Sequence, residues 1–472
     1  MKRGAKKSLL RSGKVRQLLF LVVILVISTK TLLIFLGGPV ALERDSLGYW
    51  NLSTSVMQGD ILLMSEPIAY RTPVYPWFLA VCRLIAGEHS LWLITLLQGL
   101  LYVCTVYLAA NLAFKMTKLP QSKLFTALAM LPAISAVQYT TATLSETLFV
   151  FLLLLHLSIF LKYCQQPSML TASWTALSFG VLVLTKPIVL MLWVAHVMLL
   201  LSNWLIRLRS KQAHQVKFYD WSHFAVATLA LTILLTPWCA RNHVLFGKAS
   251  LTEFIGRNLW IVSFQGGSGA ELPIPVTTAS NELVSRIKLP LKEVNSKSTW
   301  FISNKLNDSG LNDAQVDRLM KQVCWDAIQV NQLPFLKRTL RRCFNYWRCA
   351  HTDLLIQGGE QLEFAPQYVW QNPSRSSEQL LGFRFSQSVI GNTLLTLLLG
   401  SALTILFWNK STRPTAVWIG LILSYFAIIT GIFEIPDYRY RLVVEPIVGC
   451  TFGSTLSVIF SKRELTVSLT DE

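Results

Sequence analysis

Residues 17–37 read QLLFLVVILVISTKTLLIFLG. An apolar helix needs about 20 residues to cross the hydrocarbon core of a bilayer. This run supplies them with one charge, Lys30, which would snorkel outward or pair with an acid. Ahead of it lie Lys2, Arg3, Lys6, Lys7, Arg11, Lys14 and Arg16, without a single acid. A signal peptide has the same polarity, but its apolar part is shorter, and no clear cleavage site stands at Gly37-Gly38. The run therefore reads as an uncleaved anchor whose N-terminus stays in the cytoplasm.

Working outward, apolar runs recur near 90–113, 124–140, 144–162, 170–186, 187–206, 222–240, 388–408, 414–433 and 442–460, which predicts ten spans in total. Residues 73–87 are apolar but short, with two prolines and Arg83, and read as a helix on the outer membrane surface. Counting them as a span would invert every later turn. With them on the surface, the turns around Lys115, Lys118 and Lys123, around Arg207, Arg209, Lys211 and Lys217, and around Lys410 and Arg413 face the cytoplasm. The tail with Lys462 and Arg463 does too.

Composition agrees. Charged residues are 14% of the 472, against about 25% in an average soluble protein. Hydrophobic residues are 52%. A soluble enzyme cannot hide that much apolar surface in one core, and a disordered chain would not carry it. The net charge of +18 follows the topology and is not a nucleic-acid footprint.

The expected fold is an all-α polytopic membrane protein. Its parts are a basic cytoplasmic N-terminus (1–16), a seven-span module (17–240) with an outer loop at 38–89, a mainly helical extracytoplasmic domain (241–386), a three-span module (387–461) and a cytoplasmic tail (462–472). Residues 312–348 read as helix broken at Pro334. Their second half, Phe335 to Trp347, mixes basic and aromatic residues, as an interfacial helix or an ordinary amphipathic helix would. Cys343 and Cys349 could pair if this domain faces an oxidising compartment.

Polar groups collect at the predicted outer boundary. Glu43 and Asp45 stand just beyond the first run; a carboxylate there suits a general base, or a solvated acidic loop. Glu146 opens an apolar run after Ser145, where a cap and the helix dipole favour it; it could equally line the mouth of a cavity. Lys186-Pro187 interrupts a long apolar stretch, leaving the lysine to snorkel or to meet an anionic head group. Arg241, Arg439 and Arg441 lie where the positive-inside rule disfavours them. Arginine there can anchor at the interface or bind phosphate through two parallel hydrogen bonds. Lys186, Arg241, Arg439 and Arg441 opposite Asp45 would form a site for a lipid phosphate. His156 and His196 read as hydrogen-bonded core residues. No metal spacing, Walker-type loop or Ser-His-Asp set is visible. No cofactor is expected; a divalent metal is left open, without a ligand set to support it.

The order of these pieces resembles the membrane glycosyltransferases of the GT-C class, in the protein O-mannosyltransferase and aminoarabinose-transferase-like (family 39-like) group. The matching residues are Asp45-Ser46 with Tyr49, Gly59-Asp60, Arg71-Thr72-Pro73-Val74-Tyr75-Pro76, Ser145-Glu146-Thr147-Leu148-Phe149 and Thr185-Lys186-Pro187. Pro237-Trp238 with Arg241-Asn242 and Arg439-Tyr440-Arg441 complete them. Two positions depart from the pattern: Arg44 separates the acids, and Lys186 stands where the family more often has arginine. The resemblance implies a GT-C-like bundle and inverting transfer of a sugar from a polyprenyl-phosphate carrier to an extracytoplasmic glycan, lipid or protein acceptor. Asp45 would be the catalytic carboxylate and Glu43 a supporting acid. Arg71, Tyr75, Glu146, Lys186, Arg241, Arg439 and Arg441 would bind substrate. The expected location is a bacterial inner membrane.

A transporter or lipid flippase would also use ten spans, but it would show related halves and polar residues near the midplane. A surface-polysaccharide ligase or polymerase would use an oligosaccharide on a diphosphate carrier.

Overall fold

The computed structural model describes residues 13–209, 219–265, 272–295, 297–348, 356–357, 360–361 and 378–470. The basic residues 1–12, residues 210–218 of the expected cytoplasmic turn, and Cys349 lie outside them. The chain runs through α1 (Gly13–Leu36), α2 (Arg44–Met57), α3 (Val74–Ala86), α4 (Ser90–Thr117), α5 (Gln121–Met130), α6 (Ile134–Gln138), α7 (Glu146–Gln165), α8 (Met169–Val183), α9 (Leu192–Arg209) and α10 (Tyr219–Phe246). A smaller helical group follows: α11 (Ile255–Phe264), α12 (Thr278–Ile287), α13 (Leu291–Val294), α14 (Thr299–Asp308), α15 (Asp313–Val330) and α16 (Gln332–Arg348). The two-residue strands β1 (Ile356–Gln357) and β2 (Glu360–Gln361) pair antiparallel. Last come α17 (Glu378–Trp408), α18 (Arg413–Phe433), α19 (Tyr438–Arg441) and α20 (Glu445–Thr470).

Apart from that strand pair the described residues are organised by helices, and the protein is a multi-pass membrane protein. The expected ten spans need correction. Among the described residues, seven helical stretches are long and apolar enough to cross a membrane, and two shorter apolar helices, Met169–Val183 and Pro187–Leu201, accompany them. The pair is short because Pro187 cannot continue the helix of α8 and holds Lys186 in extended backbone (φ −149°, ψ 108°). The predicted span 124–140 is broken after α5, at Leu131-Pro132. Lys30 explains how the break is tolerated. Its Nζ donates to the carbonyls of Leu131 (2.8 Å) and Ala133 (3.4 Å), which an unbroken helix would have satisfied itself.

One other boundary moved. The 312–348 helix breaks at Asn331, and Pro334 lies inside the first turn of α16. Proline is tolerated there because that turn needs no backbone donor. Residues 73–87 form the separate 13-residue helix α3, bent from α4 at Gly87, whose φ of +51° favours glycine.

Exposed Leu, Val and Ile side chains of α1, α10 and α17 face outward, as bilayer-facing helices require. The main core joins α7, α8, α9, α18 and α20. A second core, with Trp260, Leu283, Ile302, Met320 and Val323, belongs to α11–α15. On α16, Thr339, Arg342 and Tyr346 are buried while Leu333, Leu336, Leu340 and Phe344 are exposed. The Arg342 Nε donates to the Gly431 carbonyl at 2.7 Å and fixes that helix on α18.

Candidate active site

Four helix starts and one loop converge. Asp45 lies in the first turn of α2, and Glu146 is the first residue of α7. Both positions favour a carboxylate through the positive end of the helix dipole. Lys186 precedes the short turn at Pro187, and Arg439 sits in α19. Arg71 comes from the loop before α3.

Their side chains form one ion network. Arg71 Nη2 donates to Asp45 Oδ1 at 3.0 Å, and Arg439 Nη1 donates to Asp45 Oδ2 at 2.9 Å. The Arg439 Nε also donates to Glu146 Oε1, which accepts from Lys186 Nζ at 2.8 Å. Arg439 therefore ties the two carboxylates together. The Asp45 side chain is 42% exposed and that of Glu146 only 1%. Glu146 Oε2 is buried with no partner among the described residues. Burial alone would disfavour the charged form of Asp45, but Arg439 and Arg71 outweigh it and hold its carboxyl below the usual range. Three cations against two carboxylates leave the network one positive charge.

Arg71 is set by its neighbours. Its guanidinium carbon lies 4.0 Å over the Tyr49 ring. Gly48 makes room: a Cβ there would come 2.9 Å from Arg71 Nη2. Tyr75 stands one layer behind. It is fully buried, packs edge-on against Tyr49 at 4.9 Å and donates to Gln98 Oε1 at 3.2 Å. Gln98 in turn donates to the carbonyls of Thr140 (2.9 Å) and Ala142 (2.8 Å), fixing the chain that leads to Glu146.

The structure thus brings Asp45, Arg71, Glu146, Lys186 and Arg439 together. It does not bring the other named residues into contact with them. Glu43 is exposed at the N-terminal cap of α2, where its backbone amide donates to Ser46 Oγ at 2.7 Å. Arg241 is buried, with its guanidinium donating to the carbonyls of Ile68 (3.0 Å), Leu63 (2.6 Å) and Glu66 (2.5 Å). It shapes the 63–68 loop. Arg441 donates to the Trp347 carbonyl at 3.2 Å and to Glu445 Oε1 at 3.4 Å. Ser145 occupies the cap position of α7, but its side chain does not cap; its Oγ lies 3.4 Å from Tyr49 Oη.

Sequence reasoning missed Glu434. It lies beside the network and accepts from Tyr440 Oη at 3.0 Å. Burial pushes its carboxyl up to about 7, despite the Tyr440 hydrogen bond and the nearby Arg439 and Lys186. A single acid after a span looks like a topology marker, so nothing local singled it out. Asp437 caps α19 by accepting from the Arg439 amide at 2.9 Å.

Next to Arg441 lies a cleft of about 240 Å³, walled by Pro132, Leu395, Leu399, Val448 and Phe452. His156 and His196 are buried and hydrogen-bonded, Nε2 to Nε2, at 3.2 Å. Among the described residues no group of three or more His, Cys, Asp or Glu could hold a metal ion.

No protein-family model matches the chain, and no curated protein matches it. Among solved structures it is similar to an oligosaccharyltransferase of Archaeoglobus fulgidus, tethered by a disulfide bond to an acceptor peptide containing the NVT sequon. The identity is 12% and the TM-score 0.45, over 95% of this chain and 50% of that one. The chain thus spans half the length of that structure. It is also similar to ArnT from Cupriavidus metallidurans bound to undecaprenyl phosphate, at 14% identity and a TM-score of 0.36, over 91% of this chain and 77% of that one.

Proposed function

We propose that this chain is a GT-C-class inverting glycosyltransferase that moves a sugar from a polyprenyl-phosphate carrier to an extracytoplasmic acceptor. One observation carries the reading: Asp45, just after the first helix, is held at 2.9 Å by Arg439, just before the last. A base and a phosphate-binding cation at one place are what such a reaction needs.

The acceptor hydroxyl oxygen attacks the anomeric carbon from the face opposite the phosphate. Its proton passes to Asp45, and the bond from that carbon to the phosphate oxygen breaks. The electron pair leaves with the phosphate, where Arg439 and Lys186 offset the charge. Asp45 is a weak base while both arginines hold it. The donor phosphate competes for Arg439, and as it takes that guanidinium Asp45 gains basicity. Glu146 keeps Arg439 and Lys186 side by side. The carrier chain lies in the apolar cleft next to Arg441.

The reading is tested by incubating the purified protein with a panel of polyprenyl-phosphate sugars and following donor consumption. Asp45→Asn is expected to abolish transfer while leaving membrane insertion intact. Full activity in that variant would refute the role of Asp45.

A further inference from the structure

A second cavity, of about 400 Å³, opens between the 67–70 loop and the second helical group. Pockets of this size take small ligands. Its chemistry is unlike that of the ion network. Trp300, Asn304 and Asn307 line it from α14, at spacings of four and three that place them on one helix face. Tyr70 closes the other side, with its ring 5.5 Å from that of Trp300.

The polar atoms here are neutral. Neither the Asn304 nor the Asn307 amide is bonded within the described residues, and both residues are exposed. Each offers two donors and an acceptor. The Trp300 side chain is part of the same open wall, 43% exposed. The one carboxylate in the lining, Asp313, is already neutralised: it pairs with Arg257 and accepts from the Ala69 amide at 2.7 Å. An anion would find no free cation among these lining residues, and a cation would find no free carboxylate. What fits is a neutral molecule with many hydroxyls and one apolar face, and a pyranose ring has both.

The cavity also adjoins the proposed reaction centre. Tyr70 lines it, and the next residue, Arg71, holds Asp45. The Arg71 guanidinium lies 5.5 Å from the Tyr70 ring centre. Hydrogen bonds of Ala69 to Asp313 and of the Glu253 amide to the Ala69 carbonyl (2.9 Å) fix this shared wall.

We infer that this cavity is the acceptor subsite and that the acceptor is a neutral glycan. Trp300 stacks on one sugar ring, and Asn304 and Asn307 bind its hydroxyls. The inference rests on the transferase reading for the word acceptor; saccharide binding itself does not.

The test uses the full chain in detergent and saturation-transfer NMR. The probes are maltotriose and cellotriose, with a neutral acetylated tripeptide amide and glucose 6-phosphate as controls. At least one trisaccharide is expected to take up saturation on the wild type. In the Asn304→Ala/Asn307→Ala double variant, binding should weaken about tenfold, as loss of two neutral hydrogen bonds implies. Both positions are exposed, so that variant should fold. Trp300→Phe should keep more affinity than Trp300→Ala. No trisaccharide signal, a signal unchanged in the double variant, or equal binding of the peptide or the sugar phosphate would overturn the inference. The two readings fail separately. Donor consumption that survives Asp45→Asn sinks the catalytic role of Asp45 alone, and absent saccharide binding sinks the glycan subsite alone.

Discussion

At the scale of single residues, the site is governed by how few atoms separate its charges. Gly48 is the clearest case. Its missing Cβ is what lets Arg71 reach Asp45. Gly48→Ala should push the guanidinium aside by a few tenths of an ångström. Alanine favours a helix over glycine by about 1 kcal/mol, so thermal stability should hold or rise while kcat/KM falls several-fold. Equal losses in both would show that Gly48 serves the fold only. Glu434 gives a pH prediction. Its carboxyl, pushed up to about 7 by burial, is neutral below that pH and ionised above it. Ionisation adds a negative charge beside Arg439 and Lys186, while a phosphodiester keeps its own charge throughout. Donor KM should therefore rise as pH goes from 6 to 8, and Glu434→Gln should flatten the profile. Stability follows the same sign. The fold prefers the neutral form, so the contribution of Glu434 is lost as pH rises from the ordinary 4.5 through about 7. Asp45 and Arg439 were legible in the sequence because each is a charge at the end of an apolar run. Glu434 was not, because its significance depends on Arg439 and Lys186, which only the fold brings near. Glu43 shows the reverse: it stands two positions from Asp45 in sequence but lies exposed at the cap of α2, outside the network.

At the scale of elements, backbone contacts decide what periodicity cannot. Gly449 and Gly453 of α20 press against α5. A Cβ on Gly453 would lie 2.1 Å from Thr126 Oγ1 and 2.5 Å from the Thr126 amide, and one on Gly449 would lie 2.7 Å from Met130 Sδ. This is the small-residue spacing that lets membrane helices approach closely. Inside an apolar run it reads only as one more span. Gly453→Val should cost about 1–3 kcal/mol of stability, the usual penalty for overpacking, and lower the detergent melting temperature. Gly391→Val, on α17 with open space around it, is the control and should cost less. The broken α5 was hidden for a similar reason. Its residues are apolar enough to span, and the break after it at Pro132 depends on Lys30, whose Nζ takes the carbonyls of Leu131 and Ala133 from 101 and 103 positions away. The short α8 was foreseeable from Lys186-Pro187, because proline acts locally. The α15–α16 break was read at Pro334, although a proline in the first turn of a helix begins it and does not end its predecessor.

At the scale of the whole molecule, the network is a clasp between distant parts of the chain. Asp45 and Arg439 are 394 positions apart, and Glu146 and Arg439 are 293 apart. Composition and charge placement already gave the multi-pass helical class, because they depend on totals and not on contacts. Which run meets which could not be read, since ten apolar segments are nearly interchangeable by hydropathy. The clasp makes this association measurable. Glu146 is almost wholly buried, so removing Arg439 leaves it with Lys186 alone, and removing Glu146 leaves Arg439 with Asp45 alone; losing such a charge-assisted hydrogen bond typically costs about 1.5–3 kcal/mol. Removing both should cost less than the sum. Glu146→Ala, Arg439→Ala and the double variant, compared by thermal unfolding in detergent, should show a coupling energy of about 1–3 kcal/mol. Arg439→Ala should also raise donor KM about tenfold or more, with the acceptor KM less affected. Strict additivity of the two substitutions would mean that the first half of the chain does not depend on this arginine, and the pocket joining both ends would lose its physical basis.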